Sequence, residues 1–563
     1  MKILSLHCDY IKFQAKKKAI KDAEPSSDKE TEVKECLVIL TAVEKRDEKN
    51  IQEISKRLSD EIKDIAKQVK TKNIVLYPYA HLSSRLANPQ KALEILKITE
   101  KLLSKDFKVT RAPFGYYKTF EILCKGHPLA ELSREFSTEK ESEEEYDYKQ
   151  LLNEISKTRL SKEKLKENDH RIIGQQLNLF SFSEIAPGMV FWHPKGLIIK
   201  NELIDFWKEE HKKAGYLEIS TPIILDKKLW QISGHWEKYK DNIFITEYDK
   251  RTFAVKPMNC PGGILVYKSQ LRSYRDFPLK FSELGIVHRQ ELSGVLGGLF
   301  RVIQFIQDDA HIYCTEEQLE EEINNVFDLT EKIYNAFNLS YHVELSTRPK
   351  KRIGDDDIWD KAEKALENVL KKRKAKYKLN KGEGSFYGPK IDFHIKDSLG
   401  RTWQCGTIQV DFSMPERFNL TYEGKDGKKH MPIMIHRAIY GSLERFMGIL
   451  LENFNGKLPL WLNPNQVKVI TVNERNNKFG EDIFNALKNE GIRVEFDDNN
   501  ETISKKVREA QLSRFNYVIT IGDKEEDSNA LAVRTRNGDV RFNVRLNEFI
   551  REVKEKAEKK ENA

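Results

Sequence analysis

Five odd-numbered residues in a strand-like stretch near the middle of the chain have side chains that could bind a charged or planar ligand. They are Arg301, Phe305, Gln307, Asp309 and His311. Side chains on a β-strand alternate between its two faces, so these residues are predicted to lie on one surface. The opposite parity carries the apolar residues Val302, Ile306, Ala310 and Ile312. The pattern predicts one face for a core and the other for a ligand.

An earlier strand-like half places Arg289 and Glu291 on one face as well. A guanidinium binds phosphate bidentately and an aromatic face stacks on a base, so two arginines near a phenylalanine favour a planar ligand that carries phosphates. The alternative is a solvated strand face, but such faces are typically rich in Lys, Glu and Thr. Three glycines between Ser293 and Gly298 permit a mobile loop between the two halves.

A second polar group lies within an apolar pattern at residues 434–451, which are predicted to form one helix. Its core stripe consists of Ile439, Leu443, Phe446, Met447 and Leu450. Ser442 and Arg445 lie off that stripe, three residues apart. Gly441 beside them permits close backbone packing, which favours a buried role for the arginine over a merely solubilising one.

Two further strands are predicted at residues 384–393 and 402–412. Strict alternation would place Gln404 and Thr407 on opposite faces. If both side chains face one pocket, a β-bulge is required between them, and we predict it at Gly406.

The chain divides into four regions, which are predicted to supply the strands and helices that position these segments. Residues 1–140 alternate strand-like runs with a helix predicted over residues 53–69, which indicates an α/β domain. Residues 141–185 are densely charged and predict a solvated helical linker, with a tRNA-contacting arm as the alternative. Residues 186–460 carry the polar segments. Residues 461–563 show a βαβαβ pattern that predicts a small, mostly parallel sheet.

Composition limits the class of protein. The chain has 563 residues, with 96 Lys and Arg against 88 Asp and Glu, an excess too mild to indicate a polyanionic partner by itself. No stretch approaches the ~20 apolar residues of a membrane span, and the first residues read as a strand rather than a signal peptide. Six cysteines without any C-x-x-C pair predict a cytoplasmic protein, in which any metal site is built from ligands far apart in sequence.

The polar segments resemble the three signature motifs of the class II aminoacyl-tRNA synthetases. Residues 199–222 resemble the first motif, which in that family builds a dimer interface. The second runs from His288-Arg-Gln-Glu291 to Phe305, and the third is Gly441-Ser-Leu-Glu-Arg445. The resemblance implies an antiparallel catalytic sheet, a homodimer, and ATP with Mg²⁺ as the nucleotide substrate.

Within that class the chain resembles the threonyl-tRNA synthetases, through Met258-Asn-Cys-Pro-Gly262, Gln307-Asp-Asp-Ala-His311 and Met434-Ile-His436. In that family the matching Cys260, His311 and His436 hold one Zn²⁺ per subunit. Three protein ligands leave a fourth position open, as in catalytic zinc sites, and the resemblance implies that L-threonine fills it. Gly263 departs from the bulky residue or histidine that relatives often have there.

The resemblance also implies a role for each matching residue of the synthetic site. Catalysis is assigned to Arg289, Glu291 and Arg445. ATP binding is assigned to Arg289, Glu291, Arg301, Phe305, Gln404, Ser442 and Arg445. The amino acid pocket is assigned to Gln307, Asp309, Tyr387, Lys390, Gln404 and Thr407, with Asp309 facing the ammonium group.

Both ends of the chain carry further resemblances. Residues 1–135 resemble the archaeal editing domain, related to D-aminoacyl-tRNA deacylases, through Leu6-His-Cys-Asp-Tyr10, residues 77–84, residues 112–118 and residues 125–131. This implies an editing pocket lined by His81, Tyr117, Lys118 and Glu131. The tail resembles an anticodon-binding domain, in which Glu525 and Arg534 would read bases.

The expected function is ligation of threonine to tRNA(Thr) through an adenylate, with hydrolysis of mischarged seryl-tRNA(Thr). A site that must bond a hydroxyl rejects valine by ~10⁴ or more, whereas the single methyl that separates serine from threonine gives only about 1–3 kcal/mol. The alternatives are a tRNA-binding regulatory or non-catalytic class II paralogue, a prolyl or seryl enzyme, and a free-standing deacylase.

Overall fold

The computed structural model describes residues 1–20, 23–26, 29–83, 85–136, 165–397 and 400–561. The chain forms two compact units, Met1–Asp147 and Tyr148–Ala563. Residues 137–164 lie outside the described residues, and they include residues 141–164 of the charged linker predicted at 141–185. None of the helices in the described ranges combines the length and the apolar character that a bilayer crossing requires.

In its described residues, the first unit is a six-stranded mixed sheet with two α-helices. Its elements are β1 (Lys2–Lys18), β2 (Thr31–Ala42), α1 (Ile51–Gln68), β3 (Asn73–Pro78), α2 (Pro89–Leu103), β4 (Lys108–Arg111), β5 (Tyr116–Cys124) and β6 (Glu131–Glu135). The strand order is β4-β3-β2-β1-β5, and β6 also pairs with β1. The strands β2, β3 and β4 are parallel, while β1 is antiparallel to its partners.

The helix predicted in this unit is confirmed as α1, and its apolar side chains recur at helical spacing. Ile54, Leu58 and Ile62 are fully buried against the sheet, and Ile65 is almost so. Each such burial contributes about 1.5–3 kcal/mol relative to exposure, so packing of this face holds the helix on the sheet.

The second unit begins with short elements around one long helix. They are α3 (His170–Gln176), β7 (Phe180–Ser181), β8 (Phe191–Trp192), α4 (Pro194–Lys213), β9 (Leu217–Glu218), β10 (Ile224–Asp226), α5 (Lys227–Ile232), α6 (His235–Tyr239), β11 (Ile245–Tyr248), β12 (Arg251–Val255) and α7 (Cys260–Lys268). The helix α4 contains the first part of the segment that resembles the first signature motif, residues 199–213, and buries Ile199, Leu203 and Trp207.

An eight-stranded, largely antiparallel sheet forms the centre of this unit. Its remaining elements are β13 (Leu279–His288), β14 (Gln304–Cys314), α8 (Leu319–Ala336), β15 (Tyr341–Ser346), α9 (Asp356–Lys372), β16 (Tyr377–Asn380), β17 (Lys390–Lys396), β18 (Thr402–Asp411), α10 (Ser413–Arg417), β19 (Tyr422–Glu423), β20 (Lys429–His430), β21 (Ile433–Ala438) and α11 (Leu443–Asn453). The order is β16-β15-β17-β18-β21-β14-β13-β9. The antiparallel core that the resemblance implied is therefore present.

A five-stranded sheet closes the chain. Its elements are β22 (Val467–Thr471), α12 (Asn477–Asn489), β23 (Val494–Asp497), α13 (Ile503–Leu512), β24 (Tyr517–Ile521), α14 (Asp523–Ser528), β25 (Leu531–Thr535), β26 (Val540–Val544) and α15 (Leu546–Glu558). The order is β23-β22-β24-β25-β26. The predicted βαβαβ part is parallel, but β25 and β26 add two antiparallel pairings, so the sheet is mixed.

The single helix predicted over residues 434–451 is wrong in its first part. Residues Ile433–Ala438 form strand β21, and the helix α11 begins only at Leu443. The strand lies between β14 and β18 and every residue of it is buried, including His436 and Arg437, so this short run shows no alternation of apolar and polar residues. Such a run cannot be told from a buried helix by periodicity alone.

Candidate functional site

A cavity of about 650 Å³ opens over the central sheet. Fourteen of the fifteen residues predicted for the synthetic site line it, the exception being Lys390. On β14, Phe305, Gln307, Asp309 and His311 face the cavity, while Ile306, Ala310 and Ile312 join the core behind it. The parity prediction is therefore confirmed for residues 305–312, whereas Val302, predicted for the core face, precedes the strand and lines the cavity.

Three buried side chains converge at one end of the cavity. The ligand atoms of Cys260, His311 and His436 lie within 4.8 Å of one another. The two histidines are directly opposite each other on β14 and β21, and the cysteine is the first residue of α7. Antiparallel pairing thus brings together imidazoles that are more than a hundred residues apart in the chain.

The chemistry of these three donors fits a divalent zinc ion. Burial, followed by His436 and Arg437, lowers the pKa of His311 well below its usual range, so its imidazole is neutral and keeps a lone pair. Burial with nearby Asp309 and Asp411 raises the pKa of the Cys260 thiol well above its usual range, and a bound cation reverses that effect. One thiolate and two imidazoles are ligands that zinc prefers.

A carboxylate supports one of these imidazoles. Asp411 Oδ2 lies 2.8 Å from Nε2 of His436 in the buried interior, so Nδ1 is the nitrogen left for a metal. Backbone N–H groups of Ser413 and Met414 donate to the other oxygen of the same carboxylate at 2.7 and 2.9 Å. The glycine at position 263 is not required by this arrangement. A Cβ there would lie 3.5 Å from His311 Nδ1, which is an ordinary contact.

A second cluster of possible ligands, Asp169, His170 and Glu452, does not fit a metal. Nδ1 of His170 lies 2.7 Å from Glu452, and its Nε2 accepts a hydrogen bond from the Leu299 N–H at 3.0 Å. Because both ring nitrogens are engaged, the histidine has no lone pair to give.

Arginines and a phenylalanine line the other end of the cavity. The Arg289 guanidinium donates to the Pro257 carbonyl at 3.1 Å and lies 5.1 Å from the centre of the Phe305 ring. Arg301 pairs with Glu291 at 2.9 Å. Arg289 and Glu291 follow the end of β13 and Arg301 precedes β14, so these three lie in the connection rather than on the strands predicted for them.

A third arginine enters from α11. Arg445 donates to the carbonyls of Phe300 and Gln404 at 3.1 and 2.8 Å, and burial is the main cause that lowers its pKa. Ser442 caps the helix by accepting from the Arg445 N–H. Gly441 has φ +79°, and a Cβ there would lie 2.6 Å from the Cys405 carbonyl, which explains the glycine.

The side of the cavity assigned to the amino acid is a hydrogen-bonded surface. The Tyr387 hydroxyl donates to Gln409 Oε1 at 2.6 Å, and its ring centre lies 5.0 Å from that of His436. The Asn259 amide donates to Asp309 at 2.9 Å, and burial raises the pKa of that carboxyl to about 6. Lys390 instead pairs with Asp392 at 2.6 Å, outside the lining.

The predicted bulge is present. Phe393 pairs with Gly406 and His394 with Gln404, which leaves Cys405 as the extra residue on β18. The bulge turns both Gln404 and Thr407 toward the cavity. Gln409 was missed by the sequence analysis, although it lies two residues after Thr407 and therefore shares its face.

The residues predicted for an editing pocket are only partly brought together. Lys118 on β5 donates to the Pro113 and Tyr116 carbonyls at 3.0 and 3.3 Å, and burial lowers its pKa to about 8. Its Nζ lies 5.0 Å from the Tyr77 ring centre, and Tyr79 links that ring to His81 at centre distances of 6.4 and 5.3 Å.

Two of the four editing residues lie apart. Tyr117 is next to Lys118 on β5, points to the opposite face by strand alternation, and is 64% exposed. Glu131 pairs with Leu6 on β1, whereas Lys118 pairs with Ala15. Nine residues of strand separate the two positions, about 30 Å if extended, so one chain does not bring Glu131 to Lys118.

The two anticodon residues make local contacts. Glu525 accepts a hydrogen bond from the Gly522 N–H at 3.0 Å and so caps its own helix. Arg534 on β25 donates to the Gly538 carbonyl at 3.1 Å. Both side chains are half-buried, and base reading by them stays a prediction.

Three family profiles match consecutive parts of the chain. Residues 1–136 match the archaea-specific editing domain of threonyl-tRNA synthetase. Residues 244–454 match the tRNA synthetase class II core domain of the glycyl, histidyl, prolyl, seryl and threonyl group, and residues 466–556 match an anticodon binding domain.

Individual relatives agree with the profiles. The threonine–tRNA ligase of Carboxydothermus hydrogenoformans is 54% identical over 398 residues, 70% of this chain and 63% of the relative. The chain thus spans less than two thirds of the length of such curated relatives. A crystal structure of the RNA binding domain of threonyl-tRNA synthetase from Cryptosporidium parvum matches with a TM-score of 0.67 and 40% identity, over 69% of this chain and 98% of that one. A putative threonyl-tRNA synthetase of Aeropyrum pernix matches with a TM-score of 0.63 and 28% identity, over 70% and 98% of the two chains.

Proposed function

The chain belongs to the threonyl-tRNA synthetase family with an archaeal type of editing domain, and from this we propose that it ligates L-threonine to tRNA(Thr) and hydrolyses mischarged seryl-tRNA(Thr). The single observation that carries the proposal is the convergence of Cys260, His311 and His436 at one end of a cavity lined by three arginines at the other. A regulatory or non-catalytic paralogue is less well supported, because the arginines of the second and third motifs are present.

The first half-reaction would be an in-line displacement. A carboxylate oxygen of threonine attacks the α-phosphorus of ATP, the bond to the bridging oxygen breaks, and pyrophosphate leaves. Arg289 would bind the α-phosphate, and Arg301 and Arg445 would bind the outer phosphates with Mg²⁺. Such a reaction needs placed charges rather than a protein nucleophile.

The adenine would stack on Phe305, with Glu291 accepting from its amino group. In the structure Arg301 donates a hydrogen bond to Glu291 Oε2. We propose that the phosphates of ATP attract Arg301 and so free the carboxylate to bind the adenine. Arg301 is 52% exposed, and an exposed ion pair contributes less than about 1 kcal/mol, so this exchange is inexpensive.

Cys260, His311 and His436 would hold Zn²⁺. When bound, the ion supplies a Lewis-acidic position that favours an amino acid with both an amine and a hydroxyl. Asp309, oriented by Asn259, would receive the ammonium group, while Tyr387, Gln307, Gln404 and Thr407 shape the remaining walls. We assign Lys390 to positioning of Asp392 rather than to contact with the amino acid, because its ammonium pairs with that carboxylate.

Editing would take place in the first unit. His81 and Lys118 lie near the same aromatic cluster and would orient the ester and a water, while the tRNA's own ribose hydroxyl assists. Tyr117 and Glu131 would not join them within one chain, since Tyr117 faces away from Lys118 and Glu131 pairs nine residues farther along β1.

The remaining parts would bind tRNA and a second subunit. Glu525 and Arg534 would contact anticodon bases. Exposed Leu217, Ile223 and Ile224 after α4 support a homodimer through the first motif, since exposed apolar clusters mark interfaces. We propose the cytoplasm as location, and residues 1–140, 141–185, 186–460 and 461–563 as editing domain, linker, catalytic domain and anticodon-binding domain.

Amino-acid-dependent exchange of pyrophosphate into ATP, combined with zinc analysis, tests this proposal. Threonine is expected to support exchange, serine more weakly and valine negligibly, with about one zinc per chain. Removal of zinc by a chelator is expected to abolish exchange with threonine and serine together. Undiminished exchange by a metal-free preparation, or exchange with proline instead, would reject the assignment.

A further inference from the structure

One buried carboxylate outside the predicted site accepts hydrogen bonds from two side chains of the cavity wall and from two behind it. Asp392 on β17 is 2% exposed and accepts four hydrogen bonds. Its Oδ1 accepts from Gln404 Nε2 at 2.6 Å and from the Thr407 hydroxyl at 3.1 Å. Its Oδ2 accepts from Lys390 Nζ at 2.6 Å and from the Ser346 hydroxyl at 3.0 Å.

These contacts fix the direction of the Gln404 amide. A carboxylate can only accept hydrogen bonds, so the amide must turn its Nε2 toward Asp392. The same Nε2 also lies 3.2 Å from the Thr407 hydroxyl oxygen. Oε1 is therefore the end of the Gln404 amide that can face the cavity, and the Thr407 proton is already donated to Asp392. Both side chains present acceptors to a ligand.

We propose that Asp392 is a positioning residue that sets this acceptor polarity, so that this part of the cavity selects a ligand group that donates hydrogen bonds. An ammonium group and a ribose hydroxyl share that chemistry. The first arrives with the amino acid and the second with ATP, so the Michaelis constants of the two substrates distinguish them. The inference rests on the proposed function, since it names how that site recognises a substrate.

The substitution Asp392→Asn is expected to reverse the polarity without changing the shape. Lys390 can only donate, so it retains the new amide's oxygen, and the new NH₂ group faces Gln404. Gln404 must then turn its Oε1 toward that group and present Nε2 to the cavity. In pyrophosphate exchange we expect KM for threonine or for ATP to rise about 10- to 100-fold, with a much smaller change in kcat.

Two variants separate positioning from a merely structural role. Ser346→Ala removes a donor from the same carboxylate but does not touch the cavity, so both KM values are expected to stay within about twofold of the wild type. Gln404→Ala removes the amide that would flip, so adding Asp392→Asn to it is expected to have little further effect on KM.

A rescue variant tests the direction of the amide itself. In Lys390→Met/Asp392→Asn, the amide introduced at position 392 no longer faces a group that can only donate, because the remaining neighbour, the Ser346 hydroxyl, can accept as well as donate. The amide can therefore rotate so that its oxygen accepts from Gln404 Nε2, and KM is expected to return toward the wild-type value. This pair also leaves no unpaired buried charge, so it serves if Asp392→Asn alone does not fold, as judged by its thermal unfolding midpoint.

The outcomes are distinguishable. Unchanged KM values in folded Asp392→Asn, an equal rise in Ser346→Ala, an undiminished effect in the Gln404→Ala background, or a failed rescue each overturn the inference. A wild-type chain inactive with threonine would instead reject the proposed function.

Discussion

At the scale of single residues, Asp308 shows how one buried carboxylate can organise a site that it does not enter. It accepts from the backbone N–H groups of Ile439, Tyr440 and Gly441 at 2.9 Å each and from the Trp207 indole at 3.2 Å. It shares the core-facing parity of Ile306 and Ala310 on β14. The neighbouring Gln307 and Asp309 face the cavity, so adjacent residues serve the two sides of one strand.

Substitution of Arg445 by Lys is predicted to reduce threonine-dependent exchange by about 100-fold or more, because an ammonium cannot reproduce a guanidinium that donates to two carbonyls and still faces a phosphate. Pyrophosphate exchange measures the loss. The exposed Arg551→Lys is the matched control and is expected to retain wild-type rates. A lysine variant at position 445 with near-normal exchange would contradict the phosphate role.

Lys118 gives a prediction for pH dependence. Burial lowers its pKa to about 8, below the unfolded value, so the folded chain loses this proton first as pH rises. Stability is therefore expected to increase with pH between about 8 and 10.4 from this group, while the charged form on which its proposed editing role depends declines.

Single-turnover hydrolysis of seryl-tRNA(Thr), corrected for the uncatalysed rate, is expected to fall above about pH 8, whereas Lys118→Arg keeps its charge and stays flat. A wild-type profile that stays flat up to about pH 10 would show that the lysine charge has no role.

At the scale of elements, the site is built where strands end and irregularities occur. The bulge at Cys405 turns Gln404 and Thr407 to one side, and the turn between β21 and α11 carries Gly441 and Ser442. The regular parts, β14 and β21, set the two histidines opposite each other. Regular pairing thus places the two histidines of the candidate metal site, and departures from it orient the polar side chains of the cavity wall.

Gly441→Ala is predicted to destabilise the fold by more than about 2 kcal/mol, since it combines a left-handed φ with a contact of 2.6 Å to the Cys405 carbonyl. The matched control is Gly382→Ala, which has φ +85° but meets no atom within 4 Å, and should lose only about 1–2 kcal/mol. Thermal or urea unfolding measures both. Equal losses would mean that the approach of the two backbones is not what requires glycine.

At the scale of the whole molecule, the two compact units match the two activities that we propose. The first unit contains Lys118 and its aromatic neighbours, and the second contains the cavity and the candidate metal ligands. Each unit has its own buried cores, so we expect the synthetic site to form without the first unit.

Deletion of residues 1–140 is therefore predicted to leave threonine-dependent exchange within about threefold of the full chain, because no residue of the synthetic cavity is removed. Seryl-tRNA(Thr) is expected to accumulate in charging assays with serine. The full-length Lys118→Met variant is the control for effects of truncation. Serine discrimination that is unchanged in both proteins would exclude an editing role for the first unit.

The sequence alone determined the class of fold, the parity of β14, the bulge before Thr407 and fourteen of the lining residues, because these depend on strand alternation and on motifs a few residues long. The tertiary structure decided what depends on contacts across the chain. It made residues 434–438 part of a central strand instead of a helix, since a short run buried on both faces has no alternation that would indicate a strand. It also paired Lys390 with Asp392 and separated Glu131 from Lys118, because ion pairing and strand register join residues that no local pattern relates.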